Sequence, residues 1–202
     1  MKKEDLLRSI AETAYNVGFG AKKHFATHDI VSKAPGFISF FSLAFGIYAL
    51  IFDVLNVKYF SATLIVLGVV SLYVSHYNST RAQYAESGEK LTGFFNDLKR
   101  LYFEVKANEG ALDEQVDSLS AIEKSYIEVS SATQIIFSNW YAHYKFFCEQ
   151  QIGWIDEQLN FKLFRDKIPF SFFVWLIIVV VLLIIALLNS NLVSNLCAGA
   201  KP

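Results

Sequence analysis

Cysteine, proline and methionine are scarce in this 202-residue chain, with two, three and one respectively. Cys148 and Cys197 lie far apart with no C-x-x-C partner, which excludes a disulfide framework and a cysteine-ligated zinc site. The common chemical motifs are missing as well: no Gly-x-x-x-x-Gly-Lys, Gly-x-Ser-x-Gly or His-Glu-x-x-His occurs. Gly18-x-Gly20 lacks the third glycine and the preceding strand of a dinucleotide loop. His24 and His28 stand four apart beside Asp29, but a metal site needs three or four ligands and nothing points to the rest. Cys148 follows His143 within an aromatic-rich run, where a packed thiol is expected rather than a nucleophile. No catalytic residue, cofactor or metal is therefore expected. The first thirty residues are too charged to hold the apolar core of a cleavable signal peptide.

What the chain has in abundance is apolar surface: 53% of residues are hydrophobic and 16% aromatic, above the usual soluble domain. Three stretches concentrate it, at residues 36–52, 60–77 and 170–188, and none contains Asp, Glu, Lys or Arg. Each would span about 25 to 29 Å as a helix, close to the hydrocarbon thickness of a bilayer. Residues 170–188 have no polar stripe, which a buried helix of a soluble protein would keep. The first two surround the short connection Asp53–Lys58, as in a tight transmembrane hairpin.

Lysine and arginine orient the spans. Residues 1–35 hold six and residues 78–168 hold ten, whereas the connection holds Lys58 alone and the tail beyond 188 Lys201 alone. The cation-rich side stays in the cytoplasm. This places the amino end and residues 78–168 inside, and the tail 189–202 in the periplasm. Lys22 and Lys23 before the first span, with Lys162, Arg165 and Lys167 before the third, are expected to touch headgroups.

Residues 78–168 read as a cytoplasmic antiparallel helical coiled coil broken near Gly110. Before the break, Leu91, Phe94, Phe95, Leu98, Leu101, Tyr102 and Val105 make one apolar face. After it, Leu119, Ile122, Tyr126, Val129, Thr133, Ile136, Trp140, His143, Phe147, Gln150 and Trp154 alternate steps of three and four, a heptad seam expected to drive oligomerisation. The outbound arm would be roughly 46 Å long and a straight return roughly 84 Å, so the return must bend if both meet one membrane. A break at Gly153 followed by an interfacial helix is expected, the alternative being one continuous tilted helix. The segment 78–168 has a net charge of −4, the wrong sign for binding nucleic acid directly. The pattern Leu6, Leu7, Ile10, Ala14, Val17, Ala21 forms an amino-terminal amphipathic helix, which can cap the hairpin or lie along the membrane.

Within the spans, Ser39, Ser42, Gly46 and Ala49 form one stripe of small residues and Gly68, Ser71 and Ser75 another. Small residues let helices approach closely in lipid, either within one chain or between copies. The third span has only Ser171 and Ala186 of this kind and is expected to face lipid. No ionisable group sits mid-span, which argues against a transporter.

The run VGFGAKKHFATHDIVSKAPGFISFFSLAFGIYALI, Val17–Ile51, resembles the opening of the SLATT family, the SMODS and SLOG-associating two-transmembrane effector domains. The segment GAKKHF, the paired spans and the long helical region after them carry the resemblance, over residues 1–165. It implies an effector of a bacterial anti-phage defence system that forms membrane-disrupting pores when an infection sensor is triggered, without catalytic residues. It also implies a sensor or nucleotide-signal-producing partner encoded nearby. The whole chain thus reads as an all-α integral membrane protein: amino-terminal helix, transmembrane hairpin, cytoplasmic coiled coil and third span. Two functions fit it, a homo-oligomeric permeabilising effector of the inner membrane and a non-conducting anchor that recruits a partner.

Overall fold

A computed structural model of the chain describes residues 2–52, 58–129 and 133–188; the connection at 53–57 and the tail 189–202, with Cys197 and Lys201, lie outside the described residues. Every regular element among them is helical: α1 Lys3–Ile51, α2 Lys58–Ser75, α3 Arg81–Ala107, α4 Asp113–Val129, α5 Ser138–Tyr144, α6 Gly153–Leu159 and α7 Phe170–Leu188. A 3₁₀ turn at Asn78–Thr80 links α2 to α3, and π-helical turns occupy Lys145–Glu149 and Leu163–Lys167.

The amino-terminal helix and the first apolar stretch are one helix of 49 residues, continuous through Pro35. A proline removes one backbone donor, and the helix bonds on either side carry the rod across it. No break separates the two parts.

The core lies on the amino-terminal half of this rod. Leu6, Leu7, Ile10, Ala14, Val17 and Ala21 are all buried, against Leu91, Phe95, Leu98, Leu101, Tyr102 and Val105 of α3. Helix α3 runs antiparallel to α1. Lys3 Nζ donates to the Asn108 carbonyl (2.8 Å), Gly18 lies against Phe95, and Gly88 lies against Phe25, so one number rises as the other falls. The small residues Ala14, Gly18 and Ala21 give α1 the flat face that lets the bulky side chains of α3 sit down on it.

The return arm corrects the expected pair of coiled helices. Helix α4 climbs alongside α1 in the same direction: Thr13 Oγ1 donates to Glu123 Oε1 (2.7 Å) and Thr27 Oγ1 to Gln134 Oε1 (2.5 Å). The chain then reverses at Phe137, whose φ of 68° is left-handed. It descends through α5 and the first π turn, where Phe146 meets Gly18, to α6, where Glu157 pairs with Lys106 (2.7 Å) near the far end of the hairpin. Asn160, at φ 50°, reverses it again. Asparagine tolerates this region better than other residues. The Asp156 carboxylate accepts from the Phe161 N–H (2.7 Å) and clamps the turn. Three short passes therefore absorb the surplus length that a single return helix could not, and the first reversal falls well before Gly153. Gly153 opens α6.

Candidate functional site

The apolar helices come first. The apolar stretches of α1 and of α2 are long enough to cross a membrane and almost wholly exposed. They meet at one end in a small buried cluster of Val31, Val74 and Ile135, and toward the other through the rings of Phe45 and Phe60 (6.4 Å). Beyond the cluster, Ser42, Gly46 and Ala49 of α1 are half-buried while Ser39 is exposed. On α2 the half-buried positions are Leu64, Leu67 and Ser71, whereas Gly68 and Ser75 are exposed. A Cβ built on Gly46 or Gly68 meets nothing within 4 Å. Neither glycine is therefore a site of close contact within the chain. Those contacts occur elsewhere: a Cβ on Gly18 would stand 2.7 Å from Phe95 Cδ2, and one on Gly88 2.9 Å from Phe25 Cε1.

Helix α7 is exposed along its described side chains from Phe170 to Ile185 except the half-buried Phe173; the Ala186 side chain lies outside the described residues. Its root is held by Trp140, whose Nε1 donates to Ser171 Oγ (2.8 Å) and whose ring meets Phe172 edge-on (6.0 Å). An apolar cavity of about 350 Å³ opens there, lined by Trp140, Tyr144, Cys148, Ile168 and Phe172, with His143 and Lys167 at its edge.

The proposed heptad seam divides in three. Leu119 and Trp154 are buried in the chain's own core, and Ile122, Tyr126, Val129 and Phe147 pack against it. Trp140 is half-buried at the root of α7, and Ile136 is exposed on the segment between α4 and α5. No single face of one helix carries all eight, because α4 ends at Val129 and the chain reverses twice afterwards. A three-four pattern specifies an apolar face without specifying its partner; here the partners are α1 and α3 of the same chain, with Trp154 against Phe95 and Tyr102.

The cations are also redistributed. Lys22 and Lys23 are half-buried about 20 Å along the α1 axis from Gly36, at 1.5 Å per residue, because the rod does not bend between them. Burial, then the nearby Lys145, pushes the Lys22 ammonium below its ordinary pKa. Lys162 and Arg165 are exposed, Arg165 beside Asp166 (3.0 Å), and Lys167 reaches Asp156 (3.4 Å). Sequence analysis placed Asp29 only beside the histidine pair; in the fold it gathers Lys145 (2.8 Å) and Lys33 (3.1 Å). Burial raises the Asp29 carboxyl, but these two ammonium groups hold it below the usual carboxylate range. The Asp29–Lys33 spacing of four was visible beforehand; the bridge to Lys145 needed the fold.

His24 and His143 carry no ligand geometry with each other, and among the described residues no three His, Cys, Asp or Glu side chains gather as a metal set would. Both imidazoles have a buried Nδ1 without a hydrogen-bond partner. Burial lowers both pKa values, and in His24 the Lys23 charge lowers it further. An unsatisfied buried polar group costs about 1–3 kcal/mol.

The sequence model of the SMODS and SLOG-associating 2TM effector domain 6 matches residues 1–195. The chain belongs to this family. The match extends past residue 165 and includes α7. This SLATT member is therefore an effector domain associated with SMODS and SLOG proteins of defence systems, and its two long apolar helices accord with a membrane location. No curated protein and no solved structure matches the chain.

Proposed function

We propose that this SLATT protein is the membrane-embedded effector of an anti-phage system, which assembles as a homo-oligomer and permeabilises the bacterial inner membrane once its sensor partner is triggered. The reading assigns it no catalytic step. In this reading the amino end and residues 78–168 are cytoplasmic, α7 is a third span, and the carboxyl end is periplasmic, following the lysine and arginine bias.

One observation carries the proposal. The small-residue positions Gly46 and Gly68 meet nothing of their own chain within 4 Å, so both are open to a second copy. Small faces left open in lipid are where helices of separate chains pack, since packing rather than hydrophobic exclusion holds them. The continuity of α1 adds a route for coupling: the rod that forms the middle of the cytoplasmic core is also the first span.

The test replaces Gly46 or Gly68 with Ile. A Cβ at either position meets nothing of the single chain within 4 Å, so insertion and folding are expected to survive, and lost depolarisation would report contact between copies. Leu182→Ala in the exposed α7 serves as control and leaves depolarisation unchanged. Membrane potential is followed at matched protein levels with the sensor partner triggered. Full activity in both glycine variants, or no depolarisation by the wild type, overturns the proposal in favour of a non-conducting anchor. The exposed Ile127, Ile136 and Phe137 on the cytoplasmic unit would suit that second role.

A further inference from the structure

Core packing takes up part of the segment GAKKHF, through the buried Ala21. Its Phe25 packs on Gly88. Gly20, Lys23 and His24 instead line a cavity of about 250 Å³ between α1, α4 and Gln134, with Asn16 and Tyr126 on its walls.

Three features of this cavity point to a ligand. Gly20 sits mid-helix in ordinary helical conformation, and a Cβ there would make only ordinary contacts, 3.6 Å from Leu91 and 3.9 Å from Tyr126. Packing therefore does not require glycine, although glycine disfavours a helix more than any residue but proline. Its absent side chain leaves space that opens into the cavity. Lys23 has no ion-pair partner among the described residues, and no carboxylate lines the cavity. Glu123 of α4, one turn before Tyr126, is engaged by Thr13 (2.7 Å). Finally, His24 is 3% exposed and its Nδ1 has no hydrogen-bond partner.

We infer that this cavity binds a small organic anion, with its charged group on Lys23 and His24 and a flat apolar body against Tyr126. An unpaired cation beside a hydrogen-bonding imidazole recognises phosphate or carboxylate. An aromatic wall selects a planar body. The volume is below the roughly 300 Å³ at which drug-sized sites begin, so the ligand is one ring or its equivalent. Such an occupant would touch α1, α4 and Gln134 together, clamping the return arm to the rod.

The inference concerns binding alone and stands whether or not the spans conduct. Full-length protein in lipid nanodiscs is titrated calorimetrically with phenyl phosphate, benzoate and inorganic phosphate. Phenyl phosphate or benzoate is expected to bind more tightly than inorganic phosphate, and whichever of the two is tighter identifies the head group. Lys23→Gln is expected to weaken binding by roughly tenfold or more, as loss of a charge-assisted contact does. Gly20→Ala should weaken it similarly by filling the space, while raising the melting temperature. His24→Gln is a third variant; because it alters a buried residue, the first two decide. No binding of the ring-bearing anions, or binding unchanged in both Lys23→Gln and Gly20→Ala, overturns the inference.

Discussion

The two halves of α1 are one helix in two environments. From Leu6 to Val31 its inward face is buried under α3, α4 and the helical α5–α6 pass of the return arm. From Phe37 to Ile51 its large side chains are exposed, Leu50 by 88%. The same residue type acquires opposite meanings. Gly18 is pinned beneath Phe95 and Phe146, while Gly46 meets nothing. Gly18 is a packing requirement imposed by the chain itself; Gly46 is room left for lipid or another molecule. Without the partner's identity, a small residue in a sequence cannot say which of the two it is.

The comparison breaks most readily at its largest side chains. Phe146 is fully buried, so Phe146→Ala is expected to cost about 3–5 kcal/mol in urea unfolding of the protein in mild detergent. Phe40→Ala in the exposed half should leave the midpoint unchanged, since Phe40 is 66% exposed and its ring meets the neighbouring Phe41 edge-on. Equal losses from the two would mean that the membrane half has a packed core of its own.

A smaller effect sharpens the glycine contrast. Gly18→Ala drives a methyl into two buried rings, an overpacking cost of about 1–3 kcal/mol against roughly 1 kcal/mol gained in helix propensity. The net is destabilisation of up to about 2 kcal/mol, whereas Gly46→Ala carries no such cost. Thermal unfolding of the two variants in parallel checks the sign.

The smallest effect is with pH and is confined to the buried half. His24 and His143 are both held below their unfolded value of 6.5, so the unfolded chain binds more protons as pH falls past that point. Stability should be level above neutrality and decline as pH drops below about 6.5 toward the folded-state values. Asp29, with its carboxyl held below 3.8, adds a loss only in stronger acid. His143→Gln should shallow the decline near pH 6 in a melting-temperature series. A slope unchanged by this substitution would assign the effect to His24 or to another group.

Much of the architecture was legible in residue spacing. The stripes Leu6–Ala21 and Leu91–Val105 are buried as their periodicity required, since a helix with one apolar face must cover it. The paired apolar stretches are helices, and the family resemblance in GAKKHF is matched by the family model. The return arm was legible only in part. Its length demanded a bend, but the reversals rest on Phe137 and Asn160, neither of which is a glycine or proline that would announce a turn. The candidate site was least legible. The cavity at Gly20, Lys23 and His24 includes Tyr126 and Gln134, more than a hundred positions away, and its shape depends on how α4 lies against α1.

The sequence alone determined the classes of surface: which faces are apolar, which stretches are free of charge and long enough for a bilayer, and which side of the chain concentrates cations. These are local quantities, set by composition and period, and no neighbour can alter them. Tertiary structure alone decided what each face meets. It directed the supposed oligomer seam largely onto α1 and α3 of the same chain, left Lys22 and Lys23 half-buried well back from the first span, and left Gly46 and Gly68 open. An apolar stripe fits many partners almost equally well, so the choice falls to chain length, turn geometry and the detailed fit of side chains such as Phe95 over Gly18, all of which act only once distant segments meet.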